Sequence, residues 1–439
     1  MKKFLKFIFV LFVIVCLVFD GLLIWHRAQP VNSFDIPSVA LNGEAAMPVS
    51  GAWTTPTLMG YYSKTTPIYL NDTEPGNRTD IGKIGSKTVK LETPSRASAQ
   101  VIITKSPDTP QSLVVFNSTD DIYEKYEYSE NGKYNMAVNL TFEPTGAYDA
   151  LKLSYSFDYE IDVQPVVTFS QKDATQADII CAYVDMGLSN KVPEIETELG
   201  EAVFIPLENN EYVAYIPVGF AQTPGQYTVT VRADDVEESC RVKVNMRDYS
   251  EQHMTISQET VDATRGAAGA NEDYAKKIKT TFTIFDNIKY WTEPFIQPVQ
   301  GRISTEFGLY RYTNGSKTAT RHTGIDIAAA EGTNVPASNA GRVVFAGDVI
   351  ITGNSVVIEH GGGLKTYYYH LSAINVKEGD LVEQGDIIGK VGSTGYATGP
   401  HLHFEVKLGE YPLSPWALFD GSSSIYQDPA EMLAEARKN

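Results

Sequence analysis

Residues 398–406 read T-G-P-H-L-H-F-E-V. Leu402, Phe404 and Val406 alternate there with His401, His403 and Glu405. Strict alternation of apolar and polar residues is the pattern of a half-buried strand. It sets both histidines on one face, about 7 Å apart, a spacing that suits one metal ligand beside one group that moves protons. A second stretch, R-H-T-G-I-D-I-A-A over 321–329, has Ile325 and Ile327 flanking Asp326 in the same way. A straight strand would hold His322 and Asp326 about 13 Å apart. To share an ion the chain must bend between them, and Gly324 is the residue that allows it. His370 ends the aromatic run Y-Y-Y-H. Four of the seven histidines in the chain therefore fall in three short motifs, together with one aspartate.

Two imidazoles and one carboxylate are the ligand set of a Zn²⁺ site that keeps a coordination position open for water. Two further histidines then remain for proton transfer. The set reads as a metal-dependent hydrolase. It is not the helical H-E-x-x-H arrangement, in which i, i+4 spacing alone closes the site.

R-H-T-G-I-D-I-A-A, Y-Y-H-L-S, V-K-E-G-D-L-V-E-Q-G-D-I-I-G-K-V-G-S-T-G and T-G-P-H-L-H-F-E-V follow one another in that order. Over residues 295–420, under a third of the chain, the sequence resembles the lysostaphin/LytM-type zinc endopeptidases, which cut peptide bonds in bacterial peptidoglycan. The opening E-P-F-I-Q-P-V-Q-G-R-I-S-T-E-F-G is one that members often carry. The resemblance implies an antiparallel β zinc-peptidase domain holding one Zn²⁺. Carried over by position, the ligands are His322, Asp326 and His403, and the proton-handling residues are His370 and His401. No position of the motif is lost. This matters because some members lack ligands and act as scaffolds or activators.

Other residues and other function classes compete with this reading. His360, in V-V-I-E-H-G-G-G, reads as structural or solvent-facing, and His253 and His26 carry no role. Glu405 lies two residues after His403 on the same strand face. It is either an acceptor for a ligand imidazole or, the reading favoured here, an ordinary exposed carboxylate. Tyr367, Tyr368 and Asn354 are candidate walls of a substrate groove. V-K-E-G-D-L-V-E-Q-G-D-I-I-G also resembles half of a biotinyl or lipoyl carrier domain. Such a carrier needs an exposed lysine at a hairpin tip, and neither Lys377 nor Lys390 has the D-K or M-K setting. The glycines are better read as turn residues. A zinc-binding, non-hydrolytic scaffold or activator of a division or sporulation complex is the alternative function.

The N-terminus places the chemistry. Residues 4–19 are apolar apart from Lys6, and Leu22 to Trp25 extend the run toward the ~20 residues that span a bilayer. Lys2, Lys3 and Lys6 favour a cytoplasmic N-terminus, and Trp25 fits an interfacial anchor. No small-x-small site closely follows, so residues 1–28 are expected as an uncleaved signal anchor. Asp20 marks the outer edge of the membrane. Val15 is not the small residue that precedes a lipoprotein cysteine, which argues against such a site at Cys16. The expectation is a single-pass protein of the cell membrane with its C-terminal domains extracytoplasmic. Its partners are then peptidoglycan peptides, the membrane and proteins of the cell envelope. A net charge of −18 argues against nucleic acid.

At 439 residues the chain has room for several domains, and it reads as mainly β. Residues 29–91, rich in Pro, Gly, Ser and Thr, are expected as a stalk with short strands. The N-x-S/T triplet at Asn71 is a chance-level motif. Residues 92–163 alternate in Y-N-M-A-V-N-L-T-F and A-L-K-L-S-Y-S-F-D-Y-E-I, a β-rich domain. Residues 164–250 repeat the style, and P-G-Q-Y-T-V-T-V resembles the last strands of an immunoglobulin-like domain. One or two such sandwiches are expected. The tyrosines read as cross-strand packing. Cys181 and Cys240 either pair in an oxidising compartment or are two small buried thiols. Residues 251–294 form a linker with an amphipathic helix over 271–288, where Tyr274, Ile278, Phe282, Phe285 and Ile288 recur at helical spacing. Residues 421–439 end in a tail helix starting at Pro429, with Asp428 as its N-cap.

Overall fold

The computed structural model describes residues 1–28, 36–55, 64–68, 78–105, 112–116, 126–143 and 150–438. Asn71 and much of the expected stalk lie outside these residues. The chain divides into two compact units, 1–163 and 164–439.

The first unit begins with the helix Lys2–Ala28. Of this, Lys2–Trp25 is long and apolar enough to cross a membrane. The rest is sheet. Gly132–Phe142 and Ala150–Ile161 pair antiparallel along their length at the centre of a seven-stranded sheet. Tyr134, Met136, Val138 and Leu140 are buried, as are Leu151, Leu153, Tyr155 and Phe157. This is the alternation read from the sequence. Tyr134 and Tyr159 sit directly opposite and stack at 6.0 Å, so these tyrosines pack across strands. The stretch expected as a stalk supplies strands to this sheet and to a separate three-stranded one. Ser50–Thr55 pairs antiparallel with Ala150–Ile161, Thr79–Ile84 pairs parallel with it, and Val39–Leu41 joins Leu91–Glu92. Pro and Gly mark turns between strands that are too short to announce themselves.

The second unit begins with a two-sheet sandwich. One sheet orders Val166–Phe169, Ile179–Asp185, Glu211–Pro217 and Phe204–Pro206; the other orders Asp173–Thr175, Val236–Asn245, Gly225–Ala233 and Glu194–Thr197. Ile180, Val184, Ile216, Val229, Val231 and Val242 fill the space between them. Strand Ile179–Asp185 is buried at every residue. Its outer face, with Cys181 and Tyr183, joins the core of the following domain, along with Tyr215, Trp291, Phe295 and Leu408. A strand covered on both faces reads as a continuous apolar run, which is why I-I-C-A-Y-V does not alternate. Cys181 and Cys240 are both free and buried, and they lie in separate cores. The disulfide is therefore not formed, and the buried-thiol reading holds.

The linker helix is shorter than its period implies. Ala270–Lys277 is α-helical, Lys279–Thr283 is a 3₁₀ turn, and the chain is extended from Ile284. Threonines at 280, 281 and 283 are the cause. Thr280 and Thr281 turn their hydroxyls back onto the carbonyls of Lys276 and Ile278 at 3.2 and 2.7 Å, and such residues do not sustain a helix. Tyr274, Ile278 and Phe282 still dock together, against Val357, Tyr367 and Tyr369, whereas Ile288 is exposed. The tail helix is Pro429–Ala436, with the Asp428 carboxylate capping the Ala430 N–H at 2.9 Å.

While Tyr310–Thr313 pairs with Glu251–Met254 and Thr320–Arg321 in a separate sheet, ten other strands between Arg302 and Leu413 form an antiparallel one. At its centre His401–Leu408 lies between Ile325–Ala328 and Leu364–Ile374.

Candidate metal centre

Pairing in this sheet sets Asp326 directly opposite His403. Residues opposed in an antiparallel pair share a face about 5 Å apart, so the carboxylate and the imidazole meet. Gly324 has no left-handed φ. A side chain there would put its Cβ 2.2 Å from the Phe404 carbonyl oxygen. Glycine serves here to let two strands close, not to supply an unusual turn, and His322 precedes the strand.

Three atoms converge. His322 Nε2 lies 3.0 Å from Asp326 Oδ1 and 3.0 Å from His403 Nδ1, and His403 Nδ1 lies 2.7 Å from Asp326 Oδ1. The far nitrogens fix the tautomers. His322 Nδ1 donates to the Glu306 carbonyl at 2.8 Å, and His403 Nε2 donates to Glu405 at 3.0 Å. In the neutral tautomers two nitrogen lone pairs and a carboxylate oxygen then face one point, an arrangement that a cation satisfies. Burial pushes the Asp326 carboxyl up, but His322 and His403 outweigh it and hold it well below the ordinary value. Burial pushes His403 down, but hydrogen bonds to Asp326 and Glu405 raise it to about 9. This buried pocket demands positive charge, and the donor set fits Zn²⁺.

The surrounding groups hold these three side chains in place. Arg311 Nη2 donates to Asp326 Oδ2 at 3.1 Å, leaving Oδ1 turned inward. Glu405 is 3% exposed, not the exposed carboxylate favoured from sequence. It accepts from His403 and from the Thr323 hydroxyl, and it pairs with Lys407 at 2.8 Å. The alternation of the 401–408 strand was legible, but the polar face is covered as well as the apolar one. Arg311, in Y-R-Y-T, and the backbone acceptor at Glu306 carry no signal in the sequence.

His370 is re-aimed by a bulge. Register slips by one residue between Asn354 and Val356 and their partners Leu371 and Tyr368, and His370 takes φ +62°. Such conformations are costly for non-glycine residues and concentrate at functional sites. His370 Nδ1 donates to the Thr394 carbonyl at 2.7 Å, and His401 Nδ1 donates to the Gly399 carbonyl at 2.8 Å. Both rings thus have Nδ1 engaged and keep Nε2 for the cleft. Their centroids are 4.8 Å apart, and His401 Nε2 lies 3.8 Å from Asp326 Oδ1. Burial, then the neighbouring His401 and His403, lower the His370 pKa to about 3.

All five residues line one cleft of about 880 Å³. Tyr367, Tyr368 and Asn354 do not line it. Tyr367 and Tyr368 are fully buried, their hydroxyls held by Thr281 and by the Ser338 N–H, and Asn354 donates to the Leu371 carbonyl. Tyr369 and Tyr396 form the wall instead. His360 is fully buried between the Ala340 carbonyl and the Thr366 hydroxyl, which makes it structural and not solvent-facing. His253 stacks on Tyr312, and the His26 side chain lies outside the described residues.

Residues 320–415 match the model of peptidase family M23. The C-terminal domain is a peptidase family M23 domain. Among relatives of this domain, the DD-carboxypeptidase/endopeptidase Mpg of Neisseria meningitidis is 43% identical over 145 residues, 33% of this chain and 33% of that protein. The peptidoglycan DD-endopeptidase ShyA of Vibrio cholerae is 42% identical over 113 residues, 26% of each chain. The solved catalytic domain of lysostaphin from Staphylococcus simulans is 36% identical, covering 26% of this chain and 90% of that one, with a TM-score of 0.24. The chain thus spans a third or less of the two full-length relatives, and the likeness rests on the M23 domain.

Proposed function

We propose that the chain is a membrane-anchored, extracytoplasmic zinc metalloendopeptidase that hydrolyses peptide bonds in peptidoglycan cross-links. The observation that carries this reading is the convergence of His322 Nε2, Asp326 Oδ1 and His403 Nδ1, each oriented by a second hydrogen bond. The named activities of Mpg and ShyA supply the substrate class. The helix over residues 2–25 supports the anchor, and the two-sheet unit over 164–250 is read as an immunoglobulin-like module carrying the peptidase.

His322, Asp326 and His403 would hold one Zn²⁺, which when bound supplies Lewis acidity toward a scissile carbonyl and water acidic enough to react at neutral pH. His370 and His401 do the proton work. Each has Nδ1 tied to a backbone carbonyl and Nε2 free toward the cleft. One takes a proton from the attacking water onto Nε2, and the other, when it carries a proton at Nε2, holds the developing oxyanion or gives that proton to the leaving amine. Arg311 keeps Asp326 turned, with Oδ2 bonded and Oδ1 left inward.

Zinc content and muropeptide release, measured on the same samples, test this. His403→Ala should lose most zinc. His370→Ala and His401→Ala should keep it while turnover falls about 10²–10⁴-fold. Zinc-loaded wild type that releases nothing from sacculi of every cross-link type would overturn the hydrolase reading in favour of a scaffold.

A further inference from the structure

The cleft has a wall from outside the residues that match the family model. Gln252, Arg265, Tyr274 and Lys279 line it from the segment before the peptidase sheet, facing the 394–400 loop. Arg265 follows the helix Gln258–Ala263 and stands in a turn closed by Gly266 N–H to Val261 O at 2.8 Å and Ala267 N–H to Thr264 O at 3.0 Å. Its guanidinium carbon lies 4.3 Å over the Tyr396 ring. Tyr396 sits between Thr394 and Gly399, whose carbonyls orient His370 and His401. Arg265 is therefore parked on the loop that positions both proton-handling imidazoles.

Charge sets this cleft apart from the rest of the molecule. The protein carries −18, yet the cleft is lined by Arg265, Lys279, Arg311 and Arg321 against only Asp326 and Glu405. Most of these charges are already engaged. Arg311 serves Asp326, and Glu405 serves His403 and Lys407. Arg321 is clasped by Phe220, Tyr249 and Tyr310. Arg265 is exposed to the cleft, and no ion pair to it is formed among the described residues. A guanidinium placed over an aromatic face by its carbon can still offer its N–H groups to an oxygen pair.

We propose that Arg265 is a specificity residue that binds a carboxylate of the substrate peptide beside the scissile bond. This rests on the peptidase reading and narrows it to peptides that carry a free carboxylate, as opposed to neutral glycine bridges. Two carboxylates qualify: the one on the residue that donates the scissile amide nitrogen, and the C-terminal one of the stem peptide. The test uses the full-length, zinc-loaded protein in detergent and three cross-linked stem-peptide dimers. One is unmodified, one is amidated at the carboxylate beside the scissile amide, and one is amidated at the chain terminus. Equilibrium binding is measured by calorimetry and cleavage by chromatography. Amidation at the recognised carboxylate should weaken binding to the wild type about tenfold, the scale of an exposed charge-assisted contact. Which dimer shows the loss identifies the carboxylate. In Arg265→Gln that discrimination should fall to about onefold, and Arg265→Lys should retain part of it. Equal binding of all three dimers by the wild type, or discrimination that survives in Arg265→Gln, overturns the proposal; so does failure of the wild type to bind any of them. Arg265-dependent discrimination without cleavage upholds the carboxylate site and overturns the hydrolase reading instead.

Discussion

Glu405→Gln separates the two tasks of one buried carboxylate. Glu405 accepts from His403 Nε2 at 3.0 Å and pairs with Lys407 at 2.8 Å, with both side chains at most 5% exposed. Burial raises its pKa, but Lys407 and His403 more than reverse this and hold it below the ordinary value. The substitution keeps the shape and removes the charge. An outer partner of a ligand imidazole is typically worth 10–100-fold in metal affinity, about 1.4–2.8 kcal/mol. The same change strands the Lys407 ammonium, which lies over the Phe282 and Tyr367 rings. Leaving a buried charge unpaired costs about 3–5 kcal/mol of stability. The double variant Glu405→Gln with Lys407→Met removes both charges. It should recover most of the stability and none of the zinc affinity. Chelator competition gives the zinc Kd, and denaturant titration of the zinc-free protein gives the stability. If the zinc affinity of Glu405→Gln stays within twofold of wild type, Glu405 does not tune His403 and the reasoning fails. If the double variant regains zinc affinity along with stability, the effect on metal came only through folding.

Three further outcomes are expected. In Gly324→Ala a Cβ 2.2 Å from the Phe404 carbonyl must push apart the strands that bring Asp326 to His403. This should cost about 1–3 kcal/mol and most of the zinc, and a variant with wild-type zinc content and melting temperature would refute the close-approach argument. His360 is fully buried, and burial lowers its pKa from 6.5 to about 4. Its folded value lies below its unfolded one, so its contribution is present above pH 6.5 and is lost as pH falls toward 4. The loss is about 3 kcal/mol, so denaturant titrations between pH 7 and pH 4 should show a shallower decline for His360→Gln than for wild type. Asp428→Ala removes the cap on the Ala430 N–H and should cost about 1 kcal/mol, read as a lower denaturation midpoint with zinc content unchanged.

The sequence alone determined what can be written within a few residues. Period-two patterns fixed the strands at 132–142, 150–161 and 401–408, because side-chain direction along a strand alternates whatever lies on either side. H-x-H placed two imidazoles on one face for the same reason, and Asp428-Pro429 marked a helix start through local capping chemistry. Tertiary structure decided everything that depends on a second segment. Asp326 meets His403 through register, His370 enters the cleft through a bulge, and Arg311 reaches Asp326 from a strand that nothing in the sequence marks. Glu405 is buried where exposure was expected because alternation tells which way a side chain points but not what covers it. Tyr367 and Tyr368 lie away from the cleft for the same reason, since the strand carrying them is covered on both faces. The wall with Arg265 belongs to a segment whose helical period runs past Lys277, where threonines break it. A local pattern fixes direction and spacing, whereas burial, register and the shape of a cleft are properties of the packed whole.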